Sequence, residues 1–137
     1  MLVGFVPAAL FYFAASNPFL KRFYLAVWVF GFVFDVYTTY RLHRRFPGGM
    51  ERYERCGYMR LFHRFFGFWG GVAAYALLVE APIALLMSFA VIPASERVFS
   101  LLFMFPKPEP YGCVASSLCF FGLAHLSAVP ENLGFKP

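Results

Sequence analysis

The charge of this chain is gathered into one stretch. Between Arg41 and Arg64 seven arginines (Arg41, Arg44, Arg45, Arg52, Arg55, Arg60 and Arg64) meet only two acids, Glu51 and Glu54, and the surplus equals the formal charge of the whole protein, +5. Elsewhere five basic residues (Lys21, Arg22, Arg97, Lys107, Lys136) balance five acids (Asp35, Glu80, Glu96, Glu109, Glu131). Apolar, aromatic-rich runs flank the stretch on both sides, the pattern of a loop held on one face of a bilayer by its guanidinium groups. Composition points the same way. The 137 residues are 61% hydrophobic and 14% charged, whereas soluble domains carry about a quarter charged residues. So little polar surface cannot clothe a small globule, and the remaining apolar area must face lipid or other subunits. The fold class expected is an all-α integral membrane protein: one membrane domain over 1–137, with about three transmembrane helices and one or two short interfacial or partner-packed helices.

Punctuation divides the chain. Residues 2–16 are apolar but lack a positive n-region, so they read poorly as a signal peptide, and any targeting signal is expected to be internal. Broken by Pro7, this segment is too short to span and suits an interfacial or partner-packed role. Asn17-Pro18 ends it. A first span follows over about 19–40, then the basic loop 41–64, in which Phe46-Pro47-Gly48-Gly49 signals a turn. From Met50 a helical register returns. Arg60, His63 and Arg64 share one face and Tyr58, Leu61, Phe62, Phe65 and Phe66 the other, the layout of a helix lying along a membrane surface before turning in.

A second span is expected over about 65–85. Glu80-Ala81-Pro82 interrupts it about 24 Å beyond Arg64 by helical rise, which puts Glu80 near the opposite surface. A bent extension toward Ile92 is preferred to a separate segment. Pro93 reads as a break, with Ser95 capping a short helix that ends near Phe105; whether 97–105 spans is left open. The alternating prolines of 106–110 mark an extended linker. The last span covers about 111–129 without a formal charge. Three crossings put the 41–64 loop and the C-terminus on one side, the side of synthesis or the mitochondrial matrix.

Two sets of small residues are candidate helix-packing faces: Gly67, Gly70, Gly71 and Ala74 in the second span, and Gly112, Ala115, Ser116, Cys119 and Gly122 in the third. Arg41, Arg44, Arg45, Arg52, Arg60 and Arg64 are candidate ligands for lipid headgroups, because the planar guanidinium fork suits phosphate. The basic pI does not imply nucleic acid, since no nucleic-acid-binding motif accompanies it.

Catalytic patterns are missing. HExxH, GxSxG and Walker motifs do not occur. Cys56, Cys113 and Cys119 form neither a CxxC nor an even set and are expected to be reduced. Asp35 is expected near the interface, paired with Arg41, Arg44 or a partner's cation, with a proton relay as the alternative. Asp35, Glu80 and the histidines read as far apart, so no metal site is expected. His43, His63 and His125 fall at one membrane level, but His43 and His63 sit among arginines, and no haem or other cofactor is assigned to them.

These features favour a non-catalytic accessory subunit of a multi-subunit energy-transducing membrane complex. The mitochondrial inner membrane is the expected setting, in a respiratory-chain complex or ATP synthase. The partners expected are other membrane subunits and an anionic phospholipid such as cardiolipin on the matrix face. The absence of an N-x-[ST] acceptor fits this setting. A haem- or quinone-binding anchor of a redox complex and a small lipid-modifying enzyme or carrier are the alternatives.

Overall fold

The structure, a computed structural model, describes residues 6–46, 57–101, 104 and 106–134, and every regular element among them is helical. Helix α1 is Val6–Ala14, α2 is Pro18–Arg45, α3 is Gly57–Phe99 and α4 is Pro110–Gly134. Two of them, α3 and α4, are long and apolar enough to cross a membrane.

The boundaries follow from local chemistry. Asn17 adopts an extended backbone and its side-chain oxygen accepts the Leu20 N–H at 3.1 Å, while Pro18 takes the first helical position. A cap of this kind satisfies one of the donors that a helix start leaves open, and proline there lacks only a hydrogen that would have no partner. At the other end His43, Arg44 and Arg45 occupy the last turn of α2, where cations meet the negative end of the helix dipole.

Helix α4 is the axis of the fold. Lys21 meets Glu109, Gly31 meets Gly122, and Asp35 meets His125 and Asn132, so α2 runs parallel to α4. Along α3, Glu80 meets His125, Ser88 meets Ser117, and Ile92 packs with Cys113, so α3 runs antiparallel to both. Short α1 lies against α4 at the Lys21 end. There Phe11 joins Ile92 and Cys113, and Ala14 joins Tyr24, Ala115 and Cys119, in two small buried clusters. Residues 6–14 are thus packed within their own chain.

Small residues set how close α2 and α4 come. A Cβ on Gly122 would lie 2.5 Å from the Trp28 Cα and 2.7 Å from its backbone nitrogen, and a Cβ on Gly31 would collide with the Gly122 carbonyl. Backbone touches backbone at this crossing, as happens in helix pairs that associate by close packing rather than by hydrophobicity.

Helix α3 is bent once and loosened twice. Gly67 has φ 68° and ψ −175°, a conformation open essentially to glycine alone, and it divides α3 into a short arm, 57–66, and a long arm, 68–99. The arm preceding the bend is the helical stretch expected ahead of the second span. Pro82 and Pro93 do not end the long arm. Each follows a π-helical turn, Ala76–Glu80 or Met87–Val91, where the Ala81 N–H reaches back to the Ala76 carbonyl and the Ile92 N–H to that of Met87. The wider turn absorbs the bond that proline cannot donate. The expected extension through Pro82 is present. The expected break at Pro93 is not: Ser95 donates to the Val91 carbonyl at 2.8 Å from inside a continuous helix rather than capping a new one. Residues 106–109 have no regular structure before α4 begins.

Candidate functional site: a buried carboxylate–histidine cluster

Each of α2, the long arm of α3, and α4 carries an ionisable residue in its apolar middle, and the fold brings the three together. His125 of α4 stands between two carboxylates. Its Nδ1 is 2.7 Å from Asp35 Oδ2 of α2, and its Nε2 is 3.2 Å from Glu80 Oε2 of α3. Their side chains are 13%, 21% and 3% exposed for His125, Asp35 and Glu80. The edge of the imidazole meets Phe32, with ring centroids 5.3 Å apart and planes at 87°.

The remaining carboxylate oxygens are also occupied. Trp28 donates its indole N–H to Glu80 Oε1 at 2.6 Å. Asp35 Oδ1 accepts from Asn132 Nδ2 at 3.1 Å and from Thr39 Oγ1 at 3.3 Å. Asn132 lies within 3.2 Å of Thr38 Oγ1 and 3.0 Å of Thr39 Oγ1. Every polar atom of the two acids therefore has a partner, which is the condition for keeping such groups away from water. Two hydrogen bonds to the ring call for two protons, either both on the imidazolium or one on the ring and one on a carboxyl, because a protonated carboxyl is itself a donor.

This arrangement overturns three expectations. Asp35 bonds to His125, Asn132 and Thr39 rather than to Arg41 or Arg44. Glu80 lies not toward the end of its helix but at the level of Asp35 in the bundle. The acids and histidines are not all far apart. The rise counted from Arg64 assumed a straight helix, whereas the bend at Gly67 takes the arm 57–66 off the axis and the long arm runs on past Glu80 to Phe99. Even so, no group of three or more His, Cys, Asp or Glu side chains among the described residues is arranged to hold a metal ion. The reason is visible here, since the two carboxylates face opposite nitrogens of one ring instead of converging on a point.

A second polar rung crosses the bundle closer to α1. Ser88 donates to the Ala84 carbonyl at 2.7 Å and lies 3.0 Å from Ser117 Oγ. Beyond it, at the entrance to α4, Glu109 accepts from Lys21 Nζ at 2.5 Å and from the Gly112 N–H at 2.8 Å. The Lys21 hydrogen bond holds this carboxyl below its ordinary value of 4.5.

The other sequence candidates separate clearly. Gly112, Ala115, Ser116, Cys119 and Gly122 are all buried, so the small-residue stripe of α4 is the face on which α1, α2 and α3 pack. Gly67, Gly70, Gly71 and Ala74 do not form such a seam. Gly67 is the bend, and nothing lies within 4 Å of where its Cβ would be. Gly70 and Gly71 admit the arm 57–66, whose Phe66 Cβ and His63 Nδ1 would be 2.8 and 2.6 Å from added Cβ atoms. Ala74 is half-buried. Cys113 and Cys119 are free thiols, while Cys56 lies outside the described residues.

The arginines collect at the end opposite Lys21. Tyr40 packs on Phe68 and Trp69, and His43 and His63 both stack on Phe68, at centroid distances of 5.5 and 5.1 Å. This aromatic floor joins the end of α2, with Arg41, Arg44 and Arg45, to the arm bearing Arg60 and Arg64, and all five guanidinium groups are exposed. Arg41 lies over Tyr37, Arg45 over Phe46, and Arg44 is 3.5 Å from the Tyr40 hydroxyl. Among the described residues no carboxylate is ion-paired with any of the five. Arg52 lies outside the described residues. As for the histidines, His125 has both nitrogens engaged and His63 Nδ1 is 3.3 Å from the Gly67 carbonyl.

Sequence reasoning missed Trp28, Gly31 and Asn132. The usable signal was that each apolar run holds a lone ionisable residue, and joining these residues to one another is the least costly way to bury them. In comparisons with protein-family models, curated proteins and solved structures, the chain shows no significant match in any of the three.

Proposed function

We propose that this chain is a non-catalytic accessory subunit of a multi-subunit energy-transducing membrane complex, crossing the bilayer three times with α2, the long arm of α3, and α4. The observation that carries the reading is an inversion of the usual soluble pattern. Glu80, Thr38, Ser88, Ser95, Ser116 and Ser117 are buried, whereas large apolar side chains such as Phe30, Phe34, Phe65, Trp69, Leu77 and Phe89 are exposed. Polar groups that satisfy one another inside and apolar groups outside suit a surrounding of lipid and neighbouring helices. Three crossings agree with the directions of the helices, which put the arginine end of α2, the bend of α3 and the end of α4 on the same side.

On that side five guanidinium groups that have no carboxylate partner among the described residues are offered to an anionic headgroup. A doubly charged phospholipid such as cardiolipin fits two neighbouring sets of arginines, one on α2 and one on the arm 57–66. The mitochondrial inner membrane, with this end toward the matrix, is the setting that such a lipid suggests. A respiratory-chain complex or ATP synthase is the corresponding assembly.

Gentle detergent extraction followed by native electrophoresis tests the reading. The expected result is migration only within a larger assembly, with other membrane subunits copurifying. A stable monomer that sustains turnover of its own would overturn it. Replacing Arg44, Arg45, Arg60 and Arg64 with glutamine is expected to lower the anionic phospholipid retained per complex while leaving the turnover of assembled complex unchanged.

A further inference from the structure

The cluster around His125 has a property that neither helix packing nor lipid binding uses. The ring joins two carboxylates through its two different nitrogens, with Asp35 on the Nδ1 side and Glu80 on the Nε2 side, at 2.7 and 3.2 Å. We propose that Asp35, His125 and Glu80 form an intramembrane proton-exchange site, in which the imidazole passes a proton between the two carboxylates.

The step balances without any further reactant. A proton held on Asp35 Oδ2 moves to Nδ1 as the proton on Nε2 moves to Glu80 Oε2. Asp35 becomes a carboxylate, Glu80 a carboxylic acid, and the ring has exchanged one tautomer for the other. The charge of the cluster is unchanged throughout. Each transfer runs along a hydrogen bond already in place, so no heavy atom has to travel.

The surroundings give the site a direction. Asp35 is the more exposed acid, and its shell of Thr38, Thr39 and Asn132 leads toward the arginine end, with Arg41 six residues further along α2. Glu80 is closed off, because its other oxygen is held by Trp28, whose indole donates but cannot accept. Protons therefore enter and leave by Asp35 and stop at Glu80. The charged groups that face the ring are Asp35 from α2 and Glu80 from α3; on α4 itself the next titratable side chain is Glu131, six residues on. The Glu80 backbone also ends the π-helical turn Ala76–Glu80, and such turns recur at sites that do more than pack.

Nitrogen-15 NMR of histidine-labelled full-length protein in phospholipid nanodiscs tests this, with the His125 signals assigned by their loss in His125→Gln. In the wild type the two ring nitrogens are expected to give exchange-averaged signals. Glu80→Gln is expected to fix the proton on Nδ1, toward Asp35, and Asp35→Asn to fix it on Nε2, toward Glu80. The averaged wild-type signals, rather than the tautomer of either variant, are the readout that a purely structural ion pair would not produce. If the proton sits on the same nitrogen in the wild type and in both variants, the proposal fails. Should neither variant fold, the wild type decides alone: static, separately resolved nitrogen signals overturn exchange, and averaged signals support it. The accessory-subunit reading stands or falls independently, on native migration.

Discussion

The backbone contact between α2 and α4 is the most exacting feature of the fold, and Gly122→Ala probes it with a single methyl group. The added Cβ would sit 2.5 Å from Trp28 Cα and 2.7 Å from both Trp28 N and the Val27 carbonyl oxygen. All three are main-chain atoms inside a continuous helix, so no side chain can swing aside and the helices must part. Overpacking of this kind costs about 1–3 kcal/mol. Separation also pulls Trp28 away from Glu80, and a polar contact between helices in lipid contributes about 0.6 kcal/mol on average. Against this, alanine is favoured over glycine in a helix interior by about 1 kcal/mol. The net expectation is a loss of about 0.6–2.6 kcal/mol. Gly31→Ala should cost a similar amount, because its Cβ meets the Gly122 carbonyl. The double variant should lose less than the two losses added, by at least about 0.5 kcal/mol, since helices already forced apart admit the second methyl at little cost. Helicity followed by circular dichroism, as SDS is titrated into a mild detergent, measures each term. Gly134→Ala serves as the control, because nothing lies within 4 Å of its Cβ position. If Gly122→Ala is as harmless as Gly134→Ala, or if the two crossing variants add, the close approach of α2 and α4 is refuted.

Three further outcomes are expected. Gly67→Ala places a Cβ where φ is 68° and should cost about 1–3 kcal/mol or straighten the arm 57–66; spin labels at positions 60 and 72 would report the straightening as a longer distance. Removing the central imidazole with His125→Leu leaves two buried acids without their shared partner and should cost about 3–5 kcal/mol, whereas replacing Asp35, Glu80 and His125 together by apolar residues should cost far less, both read in the same SDS titration. Lys21 holds the Glu109 carboxyl below its ordinary 4.5, so the contact stabilises the fold above that pH and its contribution is lost as pH falls through the lowered value. Because Glu109 is 40% exposed the effect is modest, and Glu109→Gln should lower stability slightly near neutrality and flatten the acid limb, so that variant and wild type converge as pH falls below about 4.5.

How much of this was legible in the residues depends on how local each signal is. Asn17-Pro18 marked the start of α2 because a cap and a proline act within one turn. The small-residue stripe of α4 marked its buried side because period and side-chain size are both written in order along the chain. Pro93 misled because the remedy for a missing donor, a π-helical turn, is a matter of backbone register that no single residue announces. The GxxxG spacing at Gly67 and Gly71 misled for a related reason: glycine permits both close packing and a left-handed bend, and the spacing does not say which is used.

From the order of residues alone came the helical, strongly apolar character of the chain, the gathering of its surplus positive charge into one stretch, and the face on which α4 packs, because each depends on composition and period over a few turns. The tertiary structure alone decided that Asp35, Glu80 and His125, spread across ninety positions of sequence, share one hydrogen-bonded cluster, and that Gly31 lies on Gly122. A charged group on an isolated apolar helix has no partner to declare. The depth and rotation of three helices, set by one bend and by glycine contacts between backbones, determine which groups meet.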